Sequence, residues 1–373
     1  MTTLEILKKL ISIQSNSQIS NKKVVDFIVS LFPNKDICKI TPLKKGDLDL
    51  FNLEVRIKGE SNKNPIVFSG HTDTVPSSSK WTKNPFEPVI ENNLLYGLGS
   101  SDMKAGVACM INTALSVNFK PKNDIVFLFD ADEEAGSVGG KDFIQNVNIT
   151  PGSAKVVICE PTACQLEIGQ KGVIEFHVTF YGKALHSSRT SYDKNLENNA
   201  IHKAFQAFKD LEQYEKTLEA NKDELFDIPT QAICQINGGT ATNVIPDQCK
   251  FVINRRVLPN EDMEQVAAKT IKIIQEVDSS ANVEITFKGE PNLIEKSSEL
   301  YQQAEFISNE VIGSSKVRVT SGWTQAGLFK KWGDCLIWGP GDMTMAHQAD
   351  EYCPIDDLEQ MEACYKKLIE LNQ

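Results

Sequence analysis

The sequence predicts an α/β protein in which a small α+β domain is inserted into a larger mixed-sheet domain. In the first part of the chain, short apolar runs alternate with helical patterns. Strands in which apolar and polar residues alternate begin near residue 173, and the pattern of the first part returns after about residue 290. We therefore expect a larger domain from residues 1–172 and 289–373, and an inserted domain from residues 173–288. A chain of 373 residues with 41% hydrophobic content can bury two such cores.

Four near-continuous apolar runs mark the strands of the first part: 50–57, 65–70, 124–130 and 155–160. Such runs, separated by helical patterns, are typical of strands buried within the layers of an α/β fold. Ligands of open α/β sheets bind beyond the carboxyl ends of the strands. Residues that follow these runs, including His71, Glu134 and Glu160, are therefore expected to meet in one crevice.

The inserted segment has a different pattern. Residues 173–181 alternate apolar and polar side chains, which predicts a strand with one covered face. The later elements are a helix near 200–211, strands at 231–237 and 249–257, a helix near 266–277 and a strand at 282–288. The order β-α-β-β-α-β suggests a ferredoxin-like domain, with 213–228 as a surface excursion. A helix near 298–311, a strand at 334–339 and a helix from about 355 then rejoin the first domain.

Composition excludes several partners. The formal charge of −11 disfavours nucleic acid, which requires a dense basic surface. The first residues form an amphipathic helical pattern rather than a signal or membrane segment. Nine scattered cysteines without Cys-x-x-Cys spacing predict reduced thiols. We therefore expect a cytoplasmic protein that binds neither membrane nor nucleic acid.

Five residues of metal-ligand type are spread along the chain: His71, Asp102, Glu134, Glu160 and His347. Two imidazoles and three carboxylates suit a pair of Zn²⁺-type ions. Asp102, in Ser-Asp-Met-Lys, also precedes a helical run and would suit a helix N-cap equally well. His177 and His202 fall within a strand and a helix and are interpreted as packing or surface residues.

Acidic neighbours accompany these candidate ligands. In His71-Thr72-Asp73 we expect Asp73 to accept the second imidazole N–H and fix the tautomer, although it could also be a turn residue. Asp132, Glu133 and Glu134 repel one another unless cations, protons or solvent neutralise them. If a metal is present, Glu134 can bind it while Glu133 acts as a general base towards water.

At this point the chain resembles a known family, the zinc-dependent aminoacylases and carboxypeptidases that include acetylornithine deacetylase, succinyl-diaminopimelate desuccinylase and the glutamate carboxypeptidases. Its five motifs stand in the same order around an inserted dimerisation domain, so the resemblance covers essentially the whole chain. The resemblance implies two divalent ions, Zn²⁺ by default, with Co²⁺ or Mn²⁺ also suited to these ligands. It assigns one ion to His71, Asp102 and Glu160, the other to Asp102, Glu134 and His347, and the general base to Glu133. It also implies a cis peptide bond between Asp102 and Met103.

The inserted domain carries further similarities. Residues 183–188 are similar to a segment whose histidine reaches the active site of the other subunit, which implies a homodimer and an oxyanion-binding role for His186. Asn243 and Arg256 match substrate-binding positions, Arg256 by pairing with the substrate carboxylate. Arg255 is the nearby alternative, and Lys171 is a further candidate.

Two segments favour the deacetylases within this family. Residues 339–352 and 169–172 resemble the deacetylase motifs, whereas 321–328 lacks the Asp and Arg of the desuccinylases. The match to the deacetylases is incomplete at Gln325. They usually carry a glutamate at this position, which could contact a cationic ornithine side chain. The resemblance thus implies hydrolysis of a small N-acyl amino acid, N-acetyl-L-ornithine in arginine biosynthesis. A desuccinylase, a dipeptidase or glutamate carboxypeptidase, a catalytically silent amino-acid sensor and a purely structural protein are the alternatives.

Overall fold

The predicted strands of the first part form close to their expected positions in the computed structural model, which describes residues 1–373 apart from the side chain of Leu196. The elements up to residue 170 are α1 (Thr3–Ser12), α2 (Lys22–Leu31), β1 (Cys38–Lys45), β2 (Leu48–Ile57), β3 (Ser61–His71), β4 (Val89–Glu91), β5 (Leu94–Tyr96), α3 (Lys104–Ser116), β6 (Asn123–Asp130), α4 (Val138–Asn146), β7 (Ala154–Ile158) and β8 (Leu166–Gln170).

The next part of the chain contains β9 (Gly172–Tyr181), β10 (Leu185–His186), α5 (Tyr192–Asn198), α6 (Ala200–Leu218), β11 (Thr230–Gly238), β12 (Val244–Ile245), β13 (Gln248–Val257), α7 (Met263–Val277) and β14 (Asn282–Gly289). The last part contains β15 (Asn292–Leu293), α8 (Glu299–Val311), β16 (Val317–Thr320), α9 (Ala326–Phe329), β17 (Gly333–Ile337), β18 (Tyr352–Pro354) and α10 (Ile355–Glu370).

The chain divides into two units. The first comprises Met1–Gly169, Leu293–Arg318 and Thr324–Gln373, and the second comprises Gln170–Asn292 and Val319–Trp323. A short stretch near residue 320 thus belongs with the inserted segment, although its position in the sequence gave no sign of this.

A nine-stranded mixed sheet dominates the first unit. Its order is β1-β2-β6-β3-β7-β17-β8-β15, with β16 beside β8. The central strands β6, β3, β7 and β17 run parallel, whereas β1, β2 and β8 pair antiparallel with their neighbours. The predicted mixed α/β fold is confirmed. Because β3, β6 and β7 are parallel neighbours, their carboxyl ends lie together at one edge of the sheet.

The second unit contains a four-stranded antiparallel sheet in the order β11-β13-β9-β14. The last strand lies beside the first, and helices α6 and α7 separate the strands in sequence, so the element order is β-α-β-β-α-β as expected. Ile174, Phe176, Val178 and Phe180, the apolar residues of β9, are buried as their alternation predicts.

Residues 213–218 differ from expectation. They continue α6 rather than forming part of a surface excursion, since α6 extends to Leu218. The physical reason is that Tyr214 and Leu218 extend the buried face of the helix beyond Leu211 at helical spacing.

Two smaller expectations can be compared directly with the structure. All nine cysteines are free thiols. Among the described residues, every helix is too short or too polar to cross a lipid bilayer.

Candidate metal centre

Loops at the carboxyl edge of the large sheet bring all five predicted ligands together. His71 ends β3, Glu134 follows β6, and Glu160 lies two residues beyond β7. The residues form two groups, His71 with Asp102 and Glu160, and Asp102 with Glu134 and His347. Within each group, one ligand atom of every residue lies within 4.8 Å of the others. Asp102 is common to both groups.

The two carboxylate oxygens of Asp102 face different histidines. Asp102 Oδ1 lies 3.1 Å from His71 Nε2, and Asp102 Oδ2 lies 3.6 Å from His347 Nε2. His71 Nε2 is also 3.7 Å from Glu160 Oε1, and His347 Nε2 is 3.0 Å from Glu134 Oε2. This arrangement is the one that a carboxylate bridging two ions requires.

The donor atoms fit a pair of divalent cations. His71, Asp102 and Glu160 are buried, with only 1%, 7% and 3% of their surface exposed. Glu134 Oε1 and Glu160 Oε2 are buried and find no hydrogen-bond donor among the residues that the structure describes. Buried carboxylate oxygens without donors are costly, and bound cations remove that cost. Imidazole and carboxylate ligands in this ratio suit ions such as Zn²⁺.

The acidic cluster shifts the protonation of its own members. Burial lowers the pKa of His71, but the carboxylates of Glu160, Asp102 and Asp73 outweigh this and hold it well above its usual range. The hydrogen bond with Glu134 raises the pKa of His347. Burial raises the pKa of Glu160 well above normal, and neighbouring carboxylates add to this shift. Metal binding to His71, His347 and Glu160 would therefore be accompanied by release of protons.

Asp73 acts differently from expectation. His71 Nδ1 lies 2.9 Å from the backbone oxygen of Asp73 but 3.7 Å from its carboxylate. The carboxylate instead accepts the backbone N–H groups of Glu133 and Glu134, at 3.2 Å each. The tight turn at Glu133–Ala135 leaves these N–H groups without helical partners. Asp73 therefore orients His71 through its backbone and the acidic turn through its side chain.

Glu133 lies in that turn beside Glu134. Burial raises the pKa of its carboxyl group well above normal, the nearby His71 opposes this shift, and the Glu134 and Asp102 carboxylates reinforce it. A partly buried carboxyl group with a raised pKa suits proton transfer, as expected of a general base.

The third carboxylate of the acidic tripeptide is held by a lysine that sequence reasoning did not identify. Lys45 Nζ lies 2.6 Å from Asp132 Oδ1 and donates to the Ala135 backbone oxygen at 3.0 Å. Asp132 is buried and has a left-handed φ of 66°. Lys45, on the β1–β2 hairpin, thus pairs with the charge of Asp132. Glu133 and Glu134 are the two carboxylates of the tripeptide that remain available to the candidate metal site.

The loop that carries Asp102 is not a helix cap. Helix α3 begins at Lys104, and its N-cap residue is Met103, with no side-chain cap. The Asp102–Met103 peptide bond is cis, so that expectation is confirmed. The backbone N–H of Asp102 donates to the Glu351 carboxylate at 2.9 Å. Sequence reasoning missed Glu351, although its place four residues after His347 in the same motif was a usable signal.

In the second unit, two of the predicted residues are neighbours. Strand β10, which ends at His186, pairs with β12, and the N–H of Ser187 donates to the Asn243 backbone oxygen at 2.9 Å. His186 is exposed, and its Nδ1 lies 2.8 Å from Ser188 Oγ.

The basic residues of this unit differ in their surroundings. Arg255 is fully buried, and its guanidinium is 2.6 Å from Glu261. The guanidinium of Arg256 has no hydrogen bond or ion pair to any residue that the structure describes, and burial lowers its pKa. Lys171 is buried and donates to the Ile228 backbone oxygen at 2.6 Å. Of the two arginines, Arg256 is therefore the one whose guanidinium is available to bind an anion.

Gln325, which replaces the usual glutamate, is buried. Only 2% of its surface is exposed, and its amide donates to the carboxylate of Asp130, which is itself fully buried. Burial raises the pKa of Asp130 to about 7, with the Gln325 hydrogen bond acting in the opposite direction. In this chain the residue at the position of the usual glutamate therefore binds Asp130.

The chain is similar to known proteins along most of its length. Residues 67–371 match the sequence profile of Peptidase family M20/M25/M40. The chain is 30% identical to an acetylornithine deacetylase of Buchnera aphidicola, over 98% of this chain and 97% of the relative. It is 26% identical to a succinyl-diaminopimelate desuccinylase of Corynebacterium glutamicum, over 98% and 95%.

A solved structure extends the likeness to the fold. An M20 family metallo-carboxypeptidase of Sulfolobus solfataricus superposes with a TM-score of 0.77 at 18% identity, over 99% of both chains. The profile matches most of the chain and the acetylornithine deacetylase relative aligns with nearly all of it, and so the chain belongs to Peptidase family M20/M25/M40.

Proposed function

We propose that this protein is a metal-dependent amidohydrolase that removes the acyl group from an N-acyl amino acid, with N-acetyl-L-ornithine in arginine biosynthesis as its substrate. The observation that carries the reaction class is Asp102, shared by two groups of ligand side chains beside Glu133. The choice of substrate is supported by the deacetylase-like residues 339–352 and by the relative that is 30% identical.

The metal centre would hold two divalent ions. His71, Asp102 and Glu160 would bind one ion, and Asp102, Glu134 and His347 the other. We take Zn²⁺ as the resident metal, with Co²⁺ or Mn²⁺ as competent replacements for these nitrogen and oxygen ligands. Such ions polarise an amide carbonyl and lower the pKa of water.

Glu133 would carry the proton during hydrolysis. It accepts the proton of the water whose oxygen forms the new bond to the acyl carbon. When the C–N bond breaks, it returns that proton to the leaving amine. His186 of a second subunit would donate a hydrogen bond to the oxyanion that develops between these two steps.

Substrate binding would rest on the second unit. Arg256 is a partly buried cation without a partner among the described residues, and it would pair with the substrate carboxylate. Asn243 would contribute its side-chain amide. Burial lowers the pKa of Lys171, and the nearby charges of Arg255 and Arg256 add to this shift, so Lys171 would strengthen the positive field there.

A homodimer would form through the second unit. Strand β11 lies at the edge of its sheet, with Ile233 and Ile236 exposed, and α6 exposes Phe205. Open strand edges and apolar patches favour association with another chain. We also propose a cytosolic location, because nine free thiols suit a reducing compartment.

The substrate proposal is tested by metal-free enzyme refilled with Zn²⁺, Co²⁺ or Mn²⁺ and assayed on N-acetylornithine, N-succinyl-diaminopimelate and dipeptides. We expect N-acetylornithine to have the highest kcat/KM, and metal-free enzyme to be inactive. A clear preference for the succinyl compound or a dipeptide would show that this compound, and not N-acetylornithine, is the substrate. The proposed mechanism would be unchanged. Lack of hydrolysis of every compound with every metal would favour the silent amino-acid sensor.

A further inference from the structure

Glu351 lies beneath the loop that carries Asp102. Only 1% of its surface is exposed. One carboxylate oxygen accepts the backbone N–H groups of Ser101, at 2.7 Å, and Asp102, at 2.9 Å. The other accepts the N–H of Gly99 at 2.9 Å, and the Glu351 backbone oxygen accepts the N–H of Gly97 at 3.0 Å. One residue therefore satisfies four backbone donors of a single loop.

These donors lie in a buried loop. The loop is buried at residues 98–102, lies between β5 and α3, and passes through Gly99 with a left-handed φ of 79°. Buried backbone N–H groups must be paired, and several that converge on one point form an anion site. A carboxylate suits several such donors, because each of its two oxygens can accept more than one hydrogen bond. The direction of this loop is therefore defined largely by the Glu351 carboxylate.

We propose that Glu351 is a positioning residue that aligns Asp102 with His347 and thereby determines the affinity of the second metal ion. The inference rests on the proposed two-ion centre. Glu351 acts through the backbone of Asp102, and it lies in the same segment as His347, only four residues later.

The two ions should depend on Glu351 to different degrees. His71 belongs to β3, and Glu160 follows β7 closely, so the sheet itself fixes two ligands of the first ion. Asp102 and His347 come from loops, and the His347 side chain is 55% exposed. The second ion therefore relies on the alignment of two loops, and Glu351 connects them.

Other contacts should keep these loops attached when Glu351 is changed. The Ser101 hydroxyl accepts the N–H of Asp342 at 2.8 Å and donates to its backbone oxygen at 3.1 Å. The Asp350 carboxylate accepts the N–H groups of Thr82 and Lys83, at 2.9 and 3.1 Å. Replacement of Glu351 should therefore change the alignment of Asp102 more than the fold.

The test is Co²⁺ binding to the metal-free full chain, followed by calorimetry and by visible absorption of the ion. Glu351→Gln keeps the side-chain size but removes the charge and turns one acceptor into a donor. We expect two ions in wild type and, in Glu351→Gln, a second ion bound roughly 10–100-fold more weakly with a changed spectrum. The affinity for the first ion should change much less.

Glu54→Gln is the matched control. Glu54 is also a buried carboxylate, 8% exposed, and it pairs with Arg56 at 2.6 Å on β2. This variant should bind both ions as wild type does, even if it is less stable. If Glu351→Gln fails to fold, as judged by circular dichroism, the same Co²⁺ titration is made on Glu351→Asp. That variant keeps the carboxylate but shortens the side chain by one methylene, so it should also weaken binding of the second ion.

Wild-type affinity for the second ion in the folded Glu351 variant would overturn the inference and leave the proposed function intact. Equal weakening in Glu54→Gln would also overturn it, since the effect would then be one of general stability. A wild-type chain that binds fewer than two ions would overturn the proposed metal centre itself and the inference with it.

Discussion

The Asp73 carboxylate accepts the backbone N–H of Glu133 at 3.2 Å, so the residue beside His71 also holds the proposed general base in place. The same carboxylate accepts the N–H of Glu134 at 3.2 Å. The ligand-bearing end of β3 and the acidic turn after β6 are therefore connected by one side chain.

The first prediction concerns this connection. Asp73→Asn should lower kcat by about 10–100-fold, because the amide can replace only part of the acceptor and Glu133 loses its alignment. Both ions should still bind, since His71 Nδ1 contacts the Asp73 backbone oxygen. Steady-state kinetics and metal analysis check this.

Asp262→Asn is the control, because Asp262 also accepts two backbone N–H groups, those of Glu264 and Gln265, at the start of α7. An equal loss of kcat in both variants would contradict the role of Asp73.

Adjacent carboxylates should have separable roles. Glu133→Gln should reduce kcat by about two to four orders of magnitude, the usual contribution of a general base, and leave two ions bound. Glu134→Gln should instead weaken binding of the second ion, because Glu134 lies 3.0 Å from His347. Activity assays and metal titration of the two variants distinguish the roles. The assignment would be wrong if Glu133→Gln lost an ion or kept most of its activity.

The buried Asp130 should make stability depend on pH. Burial raises its pKa from 3.8 to about 7. A carboxyl group whose folded pKa lies above its unfolded pKa binds more protons in the folded state, so its contribution to stability is lost as pH rises from about 4 to about 7. Asp130→Asn keeps an acceptor for Gln325 and should remove this dependence, by an amount on the order of 1–4 kcal/mol.

The measurement for Asp130 is urea unfolding of both metal-free chains between pH 4 and pH 8, with the free energy of unfolding compared at each pH. The difference between variant and wild type should grow with pH across this range. A difference that stays constant would show that Asp130 does not titrate there.

The proposed dimer predicts complementation between inactive chains. His186→Ala and Glu133→Gln should each be nearly inactive as homodimers. If His186 serves the site of the other subunit, each mixed dimer has one complete site, and equal mixing with subunit exchange should restore roughly a quarter of wild-type activity. Phe205→Glu, which places a charge on the exposed face of α6, should weaken the dimer and lower activity together. Absence of recovery in mixed dimers verified by mass would contradict a role in trans.

Much of the candidate site could be predicted because its residues are tied to local patterns. His71 and Glu160 follow apolar runs that form strands, and the carboxyl ends of parallel strands lie together at one edge of a sheet. The same logic brought Glu134 to that edge. Asp102 and His347 were candidates by residue type, but their assignment to particular ions required the resemblance, since a loop position carries no periodic signal.

The parts that could not be predicted depend on contacts between distant segments. Lys45 reaches Asp132 from a hairpin, and Glu351 meets the N–H groups of a loop about 250 residues earlier. The amide of Gln325 donates to the buried carboxylate of Asp130, 195 residues earlier in the chain. Side-chain partners of this kind are decided by tertiary packing, which neither periodicity nor motif spacing encodes.

The central claim is that Asp102 is shared by two ions held by His71 and Glu160 on one side and by Glu134 and His347 on the other. Anomalous diffraction from crystals of the Zn²⁺-loaded protein measures this directly. We predict two zinc peaks per chain, one beside each pair, with an Asp102 oxygen bound to each. A single peak, or two peaks that do not share Asp102, would contradict the account.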